Sequence, residues 1–164
     1  DLSGLRRESI RLALQRNGDD GALAEPAFDL FFAERQRVDL YEAALPALQF
    51  LAARWPVVAL SNGNASVHVV GIGEHFHAAL SATKAGMAKP DVRFFHAAAA
   101  AAGEAPDEVL HIGDDARLDA LGAMDAGMHA VWLNRTGVAW PHEGSTPHVT
   151  VASLAQLCQG LADS

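Results

Sequence analysis

Apolar residues recur at helical spacing along the first third of the chain. Leucines and an isoleucine fall among basic residues over 2–16, which predicts an amphipathic helix there. The run Asn-Gly-Asp-Asp-Gly at 17–21 interrupts this pattern, because such residues favour turns. Two further helices are predicted over 26–38 and 45–54, each with a proline near its start, where a helix needs no N–H donor. The first third is therefore predicted to be helical.

From residue 56 onward the pattern changes to short apolar runs that alternate with helical segments. Strands are predicted at 56–60, 108–112, 129–133 and 148–151. Helices are predicted at 65–73, 91–102, 116–126 and from the N-capping Ser153 to about Leu161. Short runs that are apolar throughout are typical of parallel strands buried on both faces. The order predicts an α/β fold with an open parallel sheet covered by helices.

The composition indicates a folded domain and argues against two classes of partner. Half of the 164 residues are hydrophobic, and the formal net charge is −8. A surface for nucleic acid or for anionic membranes needs clustered Lys and Arg, which this balance does not favour. Apolar runs stay below the ~20 residues of a membrane span. The single cysteine, Cys158, allows no disulfide within the chain, so we expect a reducing, cytoplasmic location.

The first predicted strand ends in polar residues. Ligands of open α/β sheets bind at the carboxyl ends of the strands. Here the sequence is Ser61-Asn62-Gly63-Asn64, which offers a hydroxyl, two amides and a glycine backbone as donors to an oxyanion. An ordinary Asn-Gly turn is the alternative interpretation.

The second predicted strand ends in an acidic cluster. Asp114 and Asp115 follow Gly113, and Asp119 lies four residues further along the predicted helix. Clustered carboxylates repel each other unless a cation or a proton joins them. Oxygen ligands suit a hard divalent cation, so Mg2+ is favoured over zinc. Stabilisation of the helix N-terminus by acidic side chains is the alternative explanation.

A lysine precedes the helix predicted over 91–102. Lys89 precedes Pro90 at the start of the predicted helix 91–102, where its ammonium can neutralise a phosphate or the acidic cluster. Lys84 competes for this role, and a solvated lysine is the ordinary alternative. The eight histidines, His111 among them, form no convincing metal set, and the chain has no Ser-His-Asp or nucleotide-phosphate loop pattern.

Taken together, these motifs resemble those of the haloacid dehalogenase superfamily of hydrolases. Residues 57–63 resemble its second motif, Lys89-Pro90 its third, and residues 112–115 with Asp119 its fourth, in the family's order. The resemblance implies a Rossmann-like core of three layers around a parallel sheet. It implies two domains, with residues 1–42 forming part of an α-helical cap and residues 43–164 forming a core that lacks its first strand.

One bacterial subgroup of this family is more similar still. The segments at 60–64, 71–76 and 111–115 and the Pro147-His148 tail are similar to flavin mononucleotide phosphatases, which also act on phosphorylated ribityl intermediates. The resemblance implies a magnesium-dependent phosphomonoester hydrolase. Its partner would be a small phosphorylated metabolite, and neither nucleic acid nor a membrane is expected.

The resemblance also assigns roles near the first strand. Ser61 would hydrogen-bond the transferring phosphoryl group, with help from the backbone of Asn62 and Gly63. Lys89 would bind the same group and offset charge at the nucleophile. In this interpretation Ser61 and Lys89 are the catalytic candidates.

The resemblance assigns metal binding to the acidic cluster. By resemblance, Asp114 would ligate Mg2+, and Asp115 or Asp119 would support the ion directly or through water. Phosphoryl transfer would then proceed by positioning and electrostatic stabilisation.

One departure from the family is large. Its first motif is a strand in the middle of the sheet that ends in Asp-x-Asp, which supplies the nucleophile and a general acid and base. This sequence contains no Asp-x-Asp, and Asp19-Asp20 follow a turn rather than a strand. We therefore expect the chain as given to be catalytically inert and less stable than a protein with that segment.

Three alternatives remain open. A 2-haloacid dehalogenase of the same superfamily attacks carbon and needs no metal, so the acidic cluster argues against it. A non-catalytic module would keep the phosphate and magnesium site without the nucleophile. A phosphoacceptor receiver domain has a similar sheet, but its acidic pair follows the first strand, whereas here the cluster comes late.

Overall fold

The chain opens with two helices that pack against each other. In the computed structural model, which describes residues 2–163, these are α1 (Leu2–Asn17) and α2 (Ala24–Arg35). Phe28 of α2 is buried and stacks on Phe32 with ring centroids 5.9 Å apart. The Arg7 guanidinium lies 3.9 Å from the centre of the Phe28 ring, so a cation from α1 covers the aromatic face of α2.

The remainder of the chain alternates strands with helices, as predicted. The strands are β1 (Val58–Ser61), β2 (Ala78–Ser81), β3 (Leu110–Gly113), β4 (His129–Leu133) and β5 (Val149–Val151). The helices are α3 (Ala44–Ala52), α4 (Val67–Val70), α5 (Ala82–Ala85), α6 (Val92–Ala102), α7 (Gly122–Asp125) and α8 (Leu154–Ala162). Short 3-10 turns lie at Gly21–Leu23, Gly73–His75 and Pro106–Glu108, and a π-helix spans Ala116–Leu121. The α/β class is confirmed.

The strands are parallel and lie in two sheets. β1 pairs with β2, with Leu60 opposite Leu80. β4 lies between β3 and β5, with Val131 opposite both Ile112 and Val149. Within residues 2–163, β1 forms no ladder with β3, so the strands predicted to share one sheet are divided between a sheet of two and a sheet of three.

The core lies on both faces of β4. Ala130 and Trp132 belong to a buried cluster with residues of α6 and α7, such as Phe95. Val131 and Leu133 alternate with them and belong to a second cluster that includes α8. A strand buried on both faces is the pattern expected of a parallel sheet between helical layers. The structure therefore has the three layers implied by the family resemblance.

Three segments differ from the predicted elements. β2 was not predicted, because its sequence Ala-Ala-Leu-Ser lacks the β-branched and aromatic residues that indicate strands. The helix predicted over 65–73 is the single turn α4, which ends where Gly71 adopts a positive φ of 89°. The helix predicted over 116–126 starts with the π-helix and becomes α-helical only at α7.

The predicted division into a cap and a core stays a prediction. Its two ranges are 1–42 and 43–164, whose outermost residues, 1 and 164, lie outside the described part of the chain. Among the described helices, none has the length and apolar character to cross a membrane.

Candidate active site

The loop after β1 holds the candidate lysine through its backbone. Asn62 Oδ1 accepts a 2.7 Å hydrogen bond from Lys89 N, and Asn62 Nδ2 donates a 2.9 Å bond to Lys89 O. The two bonds fix the lysine backbone beside the carboxyl end of β1. The Asn62 side chain therefore positions Lys89, a role that was not predicted from the sequence.

Ser61 lies at the last position of β1 with its hydroxyl turned toward the loop. Its Oγ accepts a 3.0 Å hydrogen bond from the backbone N–H of Gly63. Because a hydroxyl is both donor and acceptor, this bond leaves the Ser61 proton available for a further acceptor. A Cβ added at Gly63 would lie 3.2 Å from that oxygen, so glycine keeps the space beside the hydroxyl open.

Lys89 meets the acidic cluster at Asp119. Lys89 Nζ lies 2.5 Å from Asp119 Oδ1, and their side chains are only 14% and 6% exposed. His111 Nε2 lies 3.2 Å from the same oxygen, and the backbone N–H of Asp115 donates to Oδ2 at 3.0 Å. The buried carboxylate thus has three partners. His111, which was not predicted to take part in the site, belongs to this group, whereas Lys84 is exposed on α5.

The surroundings of Asp119 change its acidity in opposite directions. Burial raises its pKa, but the hydrogen bonds from His111 and Lys89 and the charge of Lys89 outweigh burial and bring the pKa down to about 2 from 3.8. The carboxylate is therefore ionised at neutral pH. Its partners also hold it in place, because each of them donates to a defined oxygen.

This shift predicts an acid-dependent contribution to stability. A carboxyl group with a lowered pKa in the folded state stabilises the fold above its unfolded pKa, and the contribution disappears as the pH falls through the folded value. The difference in unfolding free energy between wild type and Asp119→Asn should therefore be constant above about pH 5 and shrink by about 2 kcal/mol toward pH 2. Urea unfolding at several pH values measures this difference. A difference that stays constant down to pH 2 would contradict the prediction.

The other two carboxylates have different surroundings. Asp114 Oδ2 accepts a 3.0 Å hydrogen bond from Arg135 Nη2, and the Asp114 side chain is 64% exposed. Asp115 caps the following helix, because its Oδ1 accepts from the backbone N–H groups of Arg117 and Leu118 at 2.9 and 2.7 Å. The helix-capping alternative thus describes Asp115, while Asp114 faces solvent at the end of β3.

The three aspartates do not converge on one point as a ready metal cage. In the part of the chain that the structure describes, no group of three or more His, Cys, Asp or Glu residues is arranged to hold a metal. Magnesium, however, commonly uses one or two carboxylates and completes its octahedron with water and phosphate oxygens. The exposed carboxylate of Asp114 fits that mode, Asp115 is partly committed to capping, and Asp119 already has cationic partners. The metal role of all three stays a prediction, with Asp114 the best placed.

Two arginines reach this region without having been predicted. Arg35, at the end of α2, donates from Nε to Asn64 Oδ1 at 2.7 Å. Arg135 contacts Asp114 and also lies over the ring of Tyr41, 4.1 Å from its centre. Both contacts join residues far apart in sequence, so local patterns carry no signal for them. The position of His111 did carry such a signal, because a strand residue two positions before Gly113 faces the same side of the sheet as Gly113.

Comparisons with known proteins find similar hydrolases. A family model described as haloacid dehalogenase-like hydrolase matches residues 4–127. The 5-amino-6-(5-phospho-D-ribitylamino)uracil phosphatase of Escherichia coli (strain K12) is 32% identical over 170 residues, covering 96% of this chain and 69% of that protein. Phosphoserine phosphatase of Thermus thermophilus is 34% identical over 158 residues, covering 93% and 63%. The chain thus spans about two thirds of the length of these relatives.

Solved structures show the same fold. A 2-haloacid dehalogenase from Pseudomonas syringae pv. Tomato DC3000 is similar with a TM-score of 0.89 and 34% identity, covering 99% of this chain and 72% of that one. A HAD phosphatase from Thermococcus onnurineus is similar with a TM-score of 0.69 and 20% identity, covering 96% and 88%. At that lower identity the likeness concerns the fold alone.

Proposed function

Since the chain belongs to the haloacid dehalogenase-like hydrolases, we propose that its site binds a phosphomonoester for magnesium-dependent hydrolysis. The observation that carries this proposal is the placement of Lys89. Asn62 holds its backbone beside the loop that follows β1, and Asp119 holds its largely buried ammonium. A cation, a hydroxyl and backbone N–H groups at the carboxyl ends of parallel strands suit a phosphoryl group.

The proposed roles follow from the free donors of each side chain. An ammonium has three N–H donors, and Asp119 takes one, so Lys89 can donate to phosphoryl oxygens as well. Ser61 accepts from the N–H of Gly63 and therefore has its own proton to donate to the same group. Both interactions strengthen as negative charge builds on the phosphoryl oxygens in the transition state. Asn62 acts by fixing the lysine.

Asp114 is the proposed magnesium ligand, with Asp115 beside it. When bound, the ion would neutralise charge on the phosphoryl oxygens. Asp119 keeps its proposed role in supporting this side of the site, through its contacts to Lys89 and to the backbone of Asp115. Arg135 shares the Asp114 carboxylate and holds it near the end of β3.

The proposed substrates are flavin mononucleotide or a phosphorylated sugar or ribityl compound. The segments that resemble flavin mononucleotide phosphatases support this class, as does the relative whose name specifies a phosphoribitylamino uracil. A small phosphorylated metabolite is therefore the proposed partner. The expectations that the protein acts in the cytoplasm and binds neither nucleic acid nor membranes stay predictions.

Two other functions remain as candidates. The likeness to a 2-haloacid dehalogenase, at a TM-score of 0.89, favours dehalogenation. A magnesium ligand has no role in that reaction, so an exposed Asp114 argues for the phosphatase. A non-catalytic phosphate-binding module is the other candidate, because these 164 residues contain no Asp-x-Asp. For the same reason we expect the 164-residue chain to bind phosphate without turning over a phosphomonoester.

Calorimetric titration of the chain with inorganic phosphate, with and without Mg2+, tests the proposal. We expect binding that Mg2+ strengthens, and that Lys89→Met weakens by about tenfold or more, because charge-assisted hydrogen bonds to the anion disappear. Asp114→Asn should remove the effect of Mg2+. Lys84→Met is the matched control and should bind phosphate like wild type, since Lys84 is an exposed lysine on α5.

The outcomes separate the candidates. Phosphate binding that Lys89→Met leaves unchanged would overturn the proposed site, provided that thermal unfolding shows the variant to be folded. Release of halide from a 2-haloacid, independent of Mg2+, would establish the dehalogenase instead. Release of phosphate from an aryl phosphate or from flavin mononucleotide would show that the chain needs no Asp-x-Asp.

A further inference from the structure

The end of α2 is attached to the loop that follows β1. Arg35 donates from Nε to Asn64 Oδ1 at 2.7 Å, and the next residue, Gln36, accepts from the backbone N–H of Ser66 at 2.9 Å. Two successive side chains at the end of α2 thus hold two positions of the loop, Asn64 and Ser66. The attachment brings a guanidinium from the first part of the chain to the edge of the candidate phosphate site.

This guanidinium faces the same side of the loop as the candidate catalytic hydroxyl. A Cβ built on Gly63 would lie 3.2 Å from Ser61 Oγ and 3.9 Å from Arg35 Nη2. The hydroxyl and the guanidinium therefore border the same space beside Gly63. With hydrogen bonds of about 2.8 Å at each end, one tetrahedral phosphate can reach both groups.

The charge of Arg35 has no acidic partner among the described residues. Its hydrogen-bond acceptor is the neutral amide of Asn64, and the side chain is exposed. Arg37, two positions later, instead pairs with Glu34 at 3.0 Å. A basic residue in the last turn also stabilises the helix dipole, but that role does not need the contact with Asn64. Because that contact uses only Nε, both Nη groups can still donate to an anion.

On the basis of the proposed function, we propose that Arg35 is a second phosphate-binding residue, opposite Lys89, and that Asn64 is its positioning residue. The phosphoryl group would then lie between a largely buried ammonium from the segment before α6 and an exposed guanidinium from α2. Since guanidinium groups bind phosphate through two parallel hydrogen bonds, Arg35 also orients the group.

Titration of the chain with inorganic phosphate measures this role directly. Arg35→Gln should weaken phosphate binding about tenfold, and Arg35→Lys should restore only part of the loss, because an ammonium lacks the paired donors. Asn64→Asp should also weaken binding although Arg35 is intact, since the new carboxylate would neutralise the guanidinium. Arg37→Gln removes the same charge from the same segment and should leave the affinity unchanged. The loss should diminish at high salt, because the guanidinium is exposed.

The results distinguish the role of Arg35 from the proposed function. If wild type binds phosphate and Arg35→Gln binds it equally well, the role of Arg35 is wrong while the Lys89 site stands. An equal loss in Arg35→Gln and Arg37→Gln would reduce the effect to net charge and overturn the role of Arg35. If wild type binds no phosphate, the proposed function itself fails. A selective loss in Arg35→Gln and Asn64→Asp supports the inference.

Discussion

Asp119→Ala is expected to lower the unfolding free energy by about 3 kcal/mol, because it removes the shared acceptor of a largely buried cation and a histidine. Lys89 and His111 would keep side chains that are 14% and 12% exposed, with no carboxylate to accept their hydrogen bonds. The backbone N–H of Asp115 would lose its acceptor as well. Urea unfolding measures the loss as a lower midpoint at an unchanged m-value.

The neighbouring aspartates supply matched controls for this prediction. Asp115→Ala removes a helix cap, so about 1 kcal/mol should be lost. Asp114→Ala removes an exposed ion pair with Arg135, which should change the unfolding free energy by less than about 1 kcal/mol. Equal losses at the three positions would show that the acidic cluster acts as one unit, contrary to the separate contacts of its members.

These three aspartates mark how far the sequence could predict the site. Their position after an apolar run correctly predicted that they follow a strand of a parallel sheet. The surroundings of Asp119 and Asp114 could not be predicted, because each of these carboxylates has a partner distant in sequence. Asp115 instead caps the helix through residues that follow it directly. Asp119 meets Lys89 thirty residues away, and Asp114 meets Arg135 twenty-one residues away. Metal binding was therefore predicted for all three aspartates, whereas in the structure each has a different set of contacts.

The fold was more predictable where the chain has strong periodicity. β4 and the helices α6 and α8 have sequences with clear apolar patterns and lie where they were predicted. β2 is the opposite case, since small residues pair there with β1 without a strong strand signal. Backbone pairing with the neighbouring strand outweighs local propensity there.

The candidate site lies across the two sheets of the fold. β1 and β3 are not paired with each other in the described residues, yet their carboxyl ends are connected through Asn62, Lys89 and Asp119. Side-chain contacts thus maintain the candidate site where backbone pairing between the two sheets does not.

Gly113→Ala is expected to destabilise the protein by about 3 kcal/mol, because a new methyl group would occupy the space of the Asp119 side chain. An added Cβ would lie 2.2 Å from Asp119 Cγ and 2.4 Å from its Cβ, far inside contact distance. Asp119 cannot move aside without losing its bonds to Lys89 and His111. The substitution should therefore also weaken phosphate binding, since Lys89 would lose the carboxylate that holds its ammonium.

Two comparisons separate this steric effect from a general intolerance of alanine. Gly160→Ala, inside α8, adds a Cβ that meets no atom within 4 Å and should stabilise the protein by up to about 1 kcal/mol. An Asp119→Gly background lacks the clashing atoms. Gly113→Ala should therefore lower the free energy of unfolding much less in that background than in wild type. If Gly113→Ala lowers the free energy of unfolding equally in both backgrounds, the close approach of Asp119 is not the reason that position 113 needs glycine.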